Sequence, residues 1–464
     1  MKRIILILTL ALLFSAAAHG QDQENKRKDP REILRKLKQS KSHMPPPMRS
    51  EKEFRSFEEA FDNPGEVIKL TINSQKLQKI PADIKKLENL EILDLSNNEI
   101  SDLPDEIGSL TKLRNIRISN NLLTSIPAVI GKLKNLEIMD FSSNTINKID
   151  ADVSGMDKLA MVNLSGNQLS SLHPSFAKLK SLSNLMIGRN IFEKIPEELY
   201  KVKSLENLNL FQNRISGITP GIKELSGLRT LILSENLIAS LPKEISALKN
   251  LRYLDLQKNK LEAWPEEITG MNSLSQLRIG GNSIPEIPES AKNLVSLQML
   301  DLSENSANKL PDNLHFLPDL NTLDISSNNL SSLPGSLTKL SKLNKLIARD
   351  NDLNSWPEVL LNMPALVQVD LSDNNISSIP NKITLIESLE ILKMTNNQLS
   401  ALPDEFSQLK NCRILMFNRN KISSLPSTFK NMKNLKYLNL RGNEFSDEEK
   451  ARINEMLVEV KLTF

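Results

Sequence analysis

Four histidines, one cysteine and scattered pairs of adjacent carboxylates are the side chains in this sequence whose types suit acid–base, nucleophilic or metal chemistry. His19, His43, His173 and His315 stand far apart, without the short spacings that bring two imidazoles to one metal ion. No glycine-rich phosphate loop follows a strand pattern, and no G-x-S-x-G elbow is present. Carboxylate pairs such as Glu266-Glu267 and Asp404-Glu405 recur where charge on an outer surface is the ordinary expectation. Cys412 stands where its neighbours have leucine, so it reads as a small buried apolar residue, with a reactive thiol as the alternative. The expectation is a protein that is not an enzyme, with no catalytic residue, no cofactor and no metal.

The segments that must hold these residues are set by a period. LEILDLSNNEISDLPDEIGSLTK, residues 90–112, is followed by LRNIRISNNLLTSIPAVIGKLKN, which repeats its residue types position for position. Seventeen such 23-residue units start at Val67 and recur without insertion to Leu435. Length alone would suggest about three domains of roughly 150 residues. The period overrides that expectation, because stacked units that bury their apolar faces only against neighbours form one solenoid.

Each position has a physical task. Leu93 and Leu95 alternate with Ile92, Asp94 and Ser96, which makes a short strand with leucines inward and the others outward. A turn beside a core then strands backbone N–H and C=O groups, and one amide side chain carries both donors and an acceptor. Asn98, Asn121, Asn144 and their equivalents to Asn443 are therefore expected inside, as a ladder. Pro104, with no N–H and a fixed φ, suits the start of a one-turn helix, from which Ile107 and Leu110 return to the core. Parallel strands lie about 4.8 Å apart and the return segments are bulkier, so the stack should curve with its sheet on the concave side. Sixteen gaps give an arc of roughly 75–80 Å.

These residues resemble the leucine-rich repeat family, in its 23-residue class with Leu-Pro in the return segment, over residues 67–445. Ala60, Asn63, Pro64 and Val67 also match the A-x-x-N-P-x-x-V cap of secreted bacterial, spirochaetal-type members. The resemblance implies a curved horseshoe with a concave parallel β-sheet, turns or short helices outside, and a protein ligand on the concave face. Few positions depart from the pattern: Gln75 replaces the first asparagine, Asp150 and His173 replace proline, Ala307 replaces a large apolar residue. Local looseness is expected there, most at Ala307.

A solenoid exposes apolar faces at its ends unless they are covered. Residues 50–66 read as a helical cap, with Ser50 starting a helix whose Phe54, Phe57 and Phe61 cover the first repeat. Residues 446–464 read as a second, with Ser446 and three acidic residues opening a helix that offers Ile453, Met456 and Leu457. Extracellular animal members of the family close their ends with disulfides, so the single cysteine favours a bacterial protein.

Residues 1–20 have the layout of a signal peptide: Lys2 and Arg3, an apolar run over 4–14, then small residues, with cleavage after Gly20 or Ala18. That run is too short to span a bilayer, and no transmembrane segment is expected. The chain is thus expected to be exported: secreted, on the cell surface or in the periplasm. Residues 21–49 form a basic, proline-containing arm. It carries eight Lys/Arg against two Asp/Glu over residues 26–41. The whole chain carries +3 and the leader two positive charges, which leaves the mature chain near +1 and the mature chain outside residues 26–41 near −5. The arm is a solvated linker or a contact for an anionic surface or polymer. Nucleic acid is not expected, since no stacking aromatics accompany it.

Binding residues are therefore sought on the outward strand positions. Ile391, Ile414 and Tyr437 stack in successive repeats with Met416 beside them. Phe211, Ile232 and Tyr253 form a second apolar step, and Ile138, Met161 and Met186 a third. Such clusters anchor partners, or else stack to support the sheet. Asp301, Glu304, Asp324, Asp350, Asp370 and Asp373 make an acidic stretch opposed mainly by Arg349, and Lys393, Arg413, Arg419, Lys436 and Arg441 follow it. Asp301 and Asp324 are neighbours, where like charges cost stability, so a basic partner, a cation or plain solvent should face them. The function expected is non-enzymatic binding of a macromolecule, a host protein foremost. The alternative is a structural or assembly protein of the bacterial envelope, tethered by the arm.

Overall fold

The computed structural model describes residues 52–312 and 314–464. The expected signal peptide, the basic arm and Ser50 lie outside the described residues. The seventeen repeats contribute one three-residue strand each, from Lys69–Thr71 to Tyr437–Asn439, all parallel and all in the same register. Leu93 pairs with Leu70 on one side and Ile116 on the other, so each inward leucine stacks on its counterpart one coil away. The strands' central residues are fully buried, and with the return residues such as Ile107 and Leu110 they form one continuous core.

Two further strands bring the sheet to nineteen among the described residues. Glu53–Phe54 pairs with Lys69 and Leu70 before the first repeat, and Lys461–Thr463 pairs with Tyr437–Asn439 after the last. The expected front helix is therefore corrected. Phe54 belongs to a strand, and helix α1 spans only Phe57–Asp62, opened by Ser56, whose Oγ accepts from the Glu59 amide at 3.1 Å. An unpaired sheet edge offers Phe54 backbone hydrogen bonds that helical continuation would forgo. At the far end helix α2, Asp447–Met456, starts where Ser446 accepts from the Glu449 amide at 3.2 Å. It buries Ile453 and Leu457, and the chain then turns back into the sheet. Each terminal coil thus has the repeat's plan with an α-helix in the return position.

The asparagine ladder is present at all sixteen expected positions. Asn98 Nδ2 donates to Ile72 O at 2.7 Å in the preceding coil and to Leu95 O at 2.9 Å in its own, while Oδ1 accepts from Gln75 and Leu77 amides. The residue just before each of these asparagines has a positive φ, between 51° and 59° where it is not glycine. That conformation costs L-residues roughly 1 kcal/mol each. It explains why Asn, Ser, Asp and Gly recur at this position, as in Asn97, Asn120, Ser143 and Gly166.

In the return segments fifteen of the repeats place a 3-10 helix, as at Asp105–Ser109 after Pro104. The repeat holding Asp150 has none. Its Lys148–Ile149 pairs instead with Ser125–Ile126, and the Asp150 amide, which proline would lack, donates to Ile126 O at 2.9 Å. His173, the other departure, caps the start of the next 3-10 helix, Pro174–Lys178, by accepting from the Ser175 amide through Nδ1 at 3.2 Å. Both positions are built rather than loose. Ala307 is different: a small apolar gap remains between Ile284, Ile287, Leu310 and Leu330, where neighbouring coils place a larger side chain. Cys412 is 1% exposed and burial pushes its thiol up to about 12, so it is an inert core residue.

Candidate functional site

The outward side chains of the sheet form parallel rows, and the structure separates those available to a partner from those already spent. Ile391, Ile414 and Tyr437 are side by side in register and half-buried, with Met416 between Lys393 and Asn439 in the adjacent row. The cationic end of Lys461 lies 5.5 Å from the centre of the Tyr437 ring. This C-terminal strip is the apolar cluster whose members all stay partly open.

The second step differs from expectation. Ile232 is 8% exposed, covered by its neighbours, and Phe211 lies under the Arg189 guanidinium at 5.5 Å. Tyr253 donates its hydroxyl to Asp255 at 3.3 Å. Met161 of the third step is buried as well, whereas Ile138 and Met186 are half-buried.

The acidic stretch is corrected more strongly, because Asp301 is only 4% exposed and Asp370 8%. Backbone geometry explains this: the fifth residue of a repeat folds its carboxylate onto the amide two residues later, an Asx turn at the strand end. Asp301 Oδ1 accepts from Ser303 N at 3.1 Å and Oγ at 2.6 Å, Asp324 likewise from Ser326, and Asp370 from Ser372 N at 3.1 Å. Asp301 Oδ2 also takes Gln257 Nε2 at 2.8 Å and Arg278 Nε at 3.3 Å. Arg278, absent from the sequence-based candidates, stands in register between Asp255 and Asp301 and is the counter-ion that this stretch needs. The recurring Asp-x-Ser spacing, as at Asp94–Ser96 and Asp140–Ser142, was its visible signal.

Asp370 also meets Lys393 at 3.6 Å, Asp373 meets Arg349 at 2.8 Å, and Arg413 meets Glu390 at 3.5 Å. Glu304 and Asp350 stay exposed, the latter in a shallow polar recess with Asp352 and Asp373. Among the described residues no group of three His, Cys, Asp or Glu side chains is arranged to hold a metal ion. Arg419, Lys436 and Arg441 are exposed.

Asp324 offers a direct check on this account. Burial raises its carboxyl pKa, and the neighbouring Asp301 adds to the rise. Asn209 and Asn163 make the same turn without charge, accepting from the amides of Phe211 at 2.9 Å and Ser165 at 3.1 Å. Asp324→Asn should therefore raise stability at pH 7 by about 0.5–1 kcal/mol. A raised native pKa favours the protonated form, so the carboxyl's cost is absent below the unfolded-state pKa, sets in above it and is complete above the raised native one. The advantage of asparagine should vanish below about pH 3 and grow as pH rises. Urea midpoints at the two pH values decide it, and an equal gain at both would refute the cause.

The repeat register and ladder agree with comparison to known proteins. The family model described as "Leucine-rich repeat region" matches residues 69–151 and 216–308, and those described as leucine rich repeats match 158–215, 387–445 and 319–340. A solved leucine-rich-repeat protein of Leptospira interrogans is 31% identical over 89% of this chain and 100% of that one, with a TM-score of 0.74. The chain belongs to the leucine-rich repeat family. No curated protein matches it significantly. Its leucine-rich repeats are also similar to those of a plant peptide hormone receptor solved in complex with a hormone, at 28% identity over 83% of this chain and 80% of that one, TM-score 0.52. An internalin of Listeria monocytogenes, 21% identical over 72% of this chain and 89% of that one, shares the fold with a TM-score of 0.56. Among the described residues, no helix is long and apolar enough to cross a membrane.

Proposed function

We propose that this leucine-rich repeat protein is an exported, non-enzymatic binding protein whose sheet face engages a macromolecular partner, a host protein foremost. The observation that carries the proposal is the C-terminal strip. Ile391, Ile414 and Tyr437 remain half-open in consecutive strands, with Met416 beside them, while Ile232, Met161, Asp301 and Asp370 among the other candidates are buried. Aromatic and Met side chains are enriched in the buried cores of protein interfaces, and a few such anchors carry most of the affinity. The plant receptor's complex with a peptide hormone supports protein ligands as the class, and the signal-like leader of residues 1–20 supports export.

Capture by the mature chain, compared with a variant carrying Ile391→Ser, Ile414→Ser, Met416→Ser and Tyr437→Ser, tests it. A partner should be retained by the first and fall roughly tenfold or more with the second. Equal recovery of every captured protein by both would remove the strip as anchor. The basic arm of residues 21–49 favours the envelope-component alternative. Protease accessibility on intact cells supports the first reading, and retention in the periplasm the second.

A further inference from the structure

We infer that the partner engaging the C-terminal strip is an acidic protein segment, one that alternates carboxylates with apolar side chains. The inference rests on the docking face proposed above. Its ground is the distribution of unspent charge around that strip. Along one border, Lys436 lies one strand from Arg413, joined by a backbone bond from Lys436 N to Arg413 O at 2.8 Å. Along the other, Arg419 and Arg441 are joined in the same way at 2.7 Å. Both borders therefore set cations side by side, an arrangement that costs stability unless something anionic relieves it.

Intramolecular relief is slight. Arg413 reaches Glu390 at 3.5 Å with both side chains largely exposed, a pair of small worth. Arg419, Lys436 and Arg441 form no ion pair among the described residues, in contrast to Asp301, Asp370 and Asp373 in the preceding coils. The apolar strip is thus framed on two sides by free cations, the arrangement of an apolar anchor with a charged rim.

Its dimensions agree with a short chain. Three strands, hence two strand spacings, and six residues along the strand give a patch of roughly 10 by 20 Å, its long side the reach of about five or six extended residues. A bare polyanion would satisfy the rim and leave Ile391, Ile414, Met416 and Tyr437 in water. An uncharged apolar segment would bury the anchors and leave the cations unrelieved.

Fluorescence anisotropy with the mature chain and three labelled peptides of about ten residues tests this. One alternates Glu or Asp with Leu or Phe, a second has Lys for each acid, and a third keeps the acids with Ser for each apolar residue. The first should bind at least about tenfold more tightly than either other, and weaken several-fold between about 50 and 300 mM salt. Arg419→Glu, Lys436→Glu and Arg441→Glu together should abolish that preference with an unchanged unfolding midpoint. Reversal of Lys178, Lys201 and Lys223 in the return segments should leave it intact. Equal binding of the basic peptide, or no effect of the triple reversal, would overturn the acidic assignment. Equal binding of the serine peptide would make the site a general polyanion surface and overturn the assignment of a protein segment. If the serine variant loses its captured partner while the peptides are not discriminated, the docking face stands and only the acidic character falls.

Discussion

Replacing Asn236 by alanine should cost roughly 3–5 kcal/mol, measured as a shift in the urea unfolding midpoint. Asn236 is 5% exposed, and its amide closes a turn from within: Nδ2 donates to Leu210 O at 3.0 Å and Leu233 O at 2.9 Å, and Oδ1 accepts from Ile215 N at 3.0 Å. Nδ2 also reaches Ser234 O at 3.2 Å, and alanine removes all four contacts and supplies none. Each orphaned backbone group then bears a desolvation penalty of about 1–3 kcal/mol, softened wherever water enters the space left behind. Because two of the four groups, Leu210 O and Ile215 N, belong to the preceding coil, damage should cross the repeat boundary. Hydrogen exchange at the Ile215 amide should accelerate along with that in the mutated turn. Loss of less than about 1 kcal/mol, or exchange changes confined to the mutated coil, would show that the ladder does not join the coils energetically.

The second large effect is expected at Arg278. Its guanidinium lies 3.3 Å from Asp301 and 3.9 Å from Asp255, whose side chains are 5% and 7% exposed. Burial opposes the charge on Arg278, but Tyr253, Asp255 and Asp301 more than offset it, and its pKa lies above the ordinary arginine value. Burial also raises the Asp255 carboxyl, with Arg278 among the groups holding it down. Arg278→Met keeps the stem and deletes the charge, leaving two buried carboxylates without a counter-ion. The cost should be about 3 kcal/mol at pH 7, at the low end for a broken buried pair because the guanidinium itself is 35% exposed. In the variant the Asp255 carboxyl, already raised by burial, loses one of the groups holding it down and rises further, so its protonated form suits the fold. Stability should recover as pH falls through that raised value and be lost as pH rises through it. Urea midpoints at about pH 4 and pH 7 check this, and an equal deficit at both would mean that lost packing, rather than unpaired charge, is the cause.

What the sequence made legible follows from its period. Once Asn98 recurs every 23 residues beside alternating leucines, strand register and buried amides follow from backbone hydrogen-bonding demands alone. The terminal coils were harder. Phe54, Phe57 and Phe61 have helical spacing, but the open sheet edge captured Phe54 as a strand, a competition that side-chain pattern does not encode. Lys461–Thr463 is too short to announce itself as a strand without the register of the preceding coil. On the binding face, outward position was readable and availability was not. Asp301 points away from the core yet is buried by Ser303, Gln257 and Arg278, the last two reaching it from other coils. Ile391 and Ile232 have equal apolarity, yet their different strand positions and cross-strand neighbours leave the first half-open and the second covered.

Every turn in the array is finished by a side chain belonging to the coil that follows it, since each ladder asparagine accepts an amide 21 residues earlier in the chain. Growth by whole units is therefore permissive: a duplicated coil brings the amide its predecessor requires and presents an identical request to its successor. Gain or loss of a few residues has no such tolerance, because it shifts the amide away from the turn awaiting it. The length of the binding face can thus be rescaled in steps of one strand without redesigning any joint.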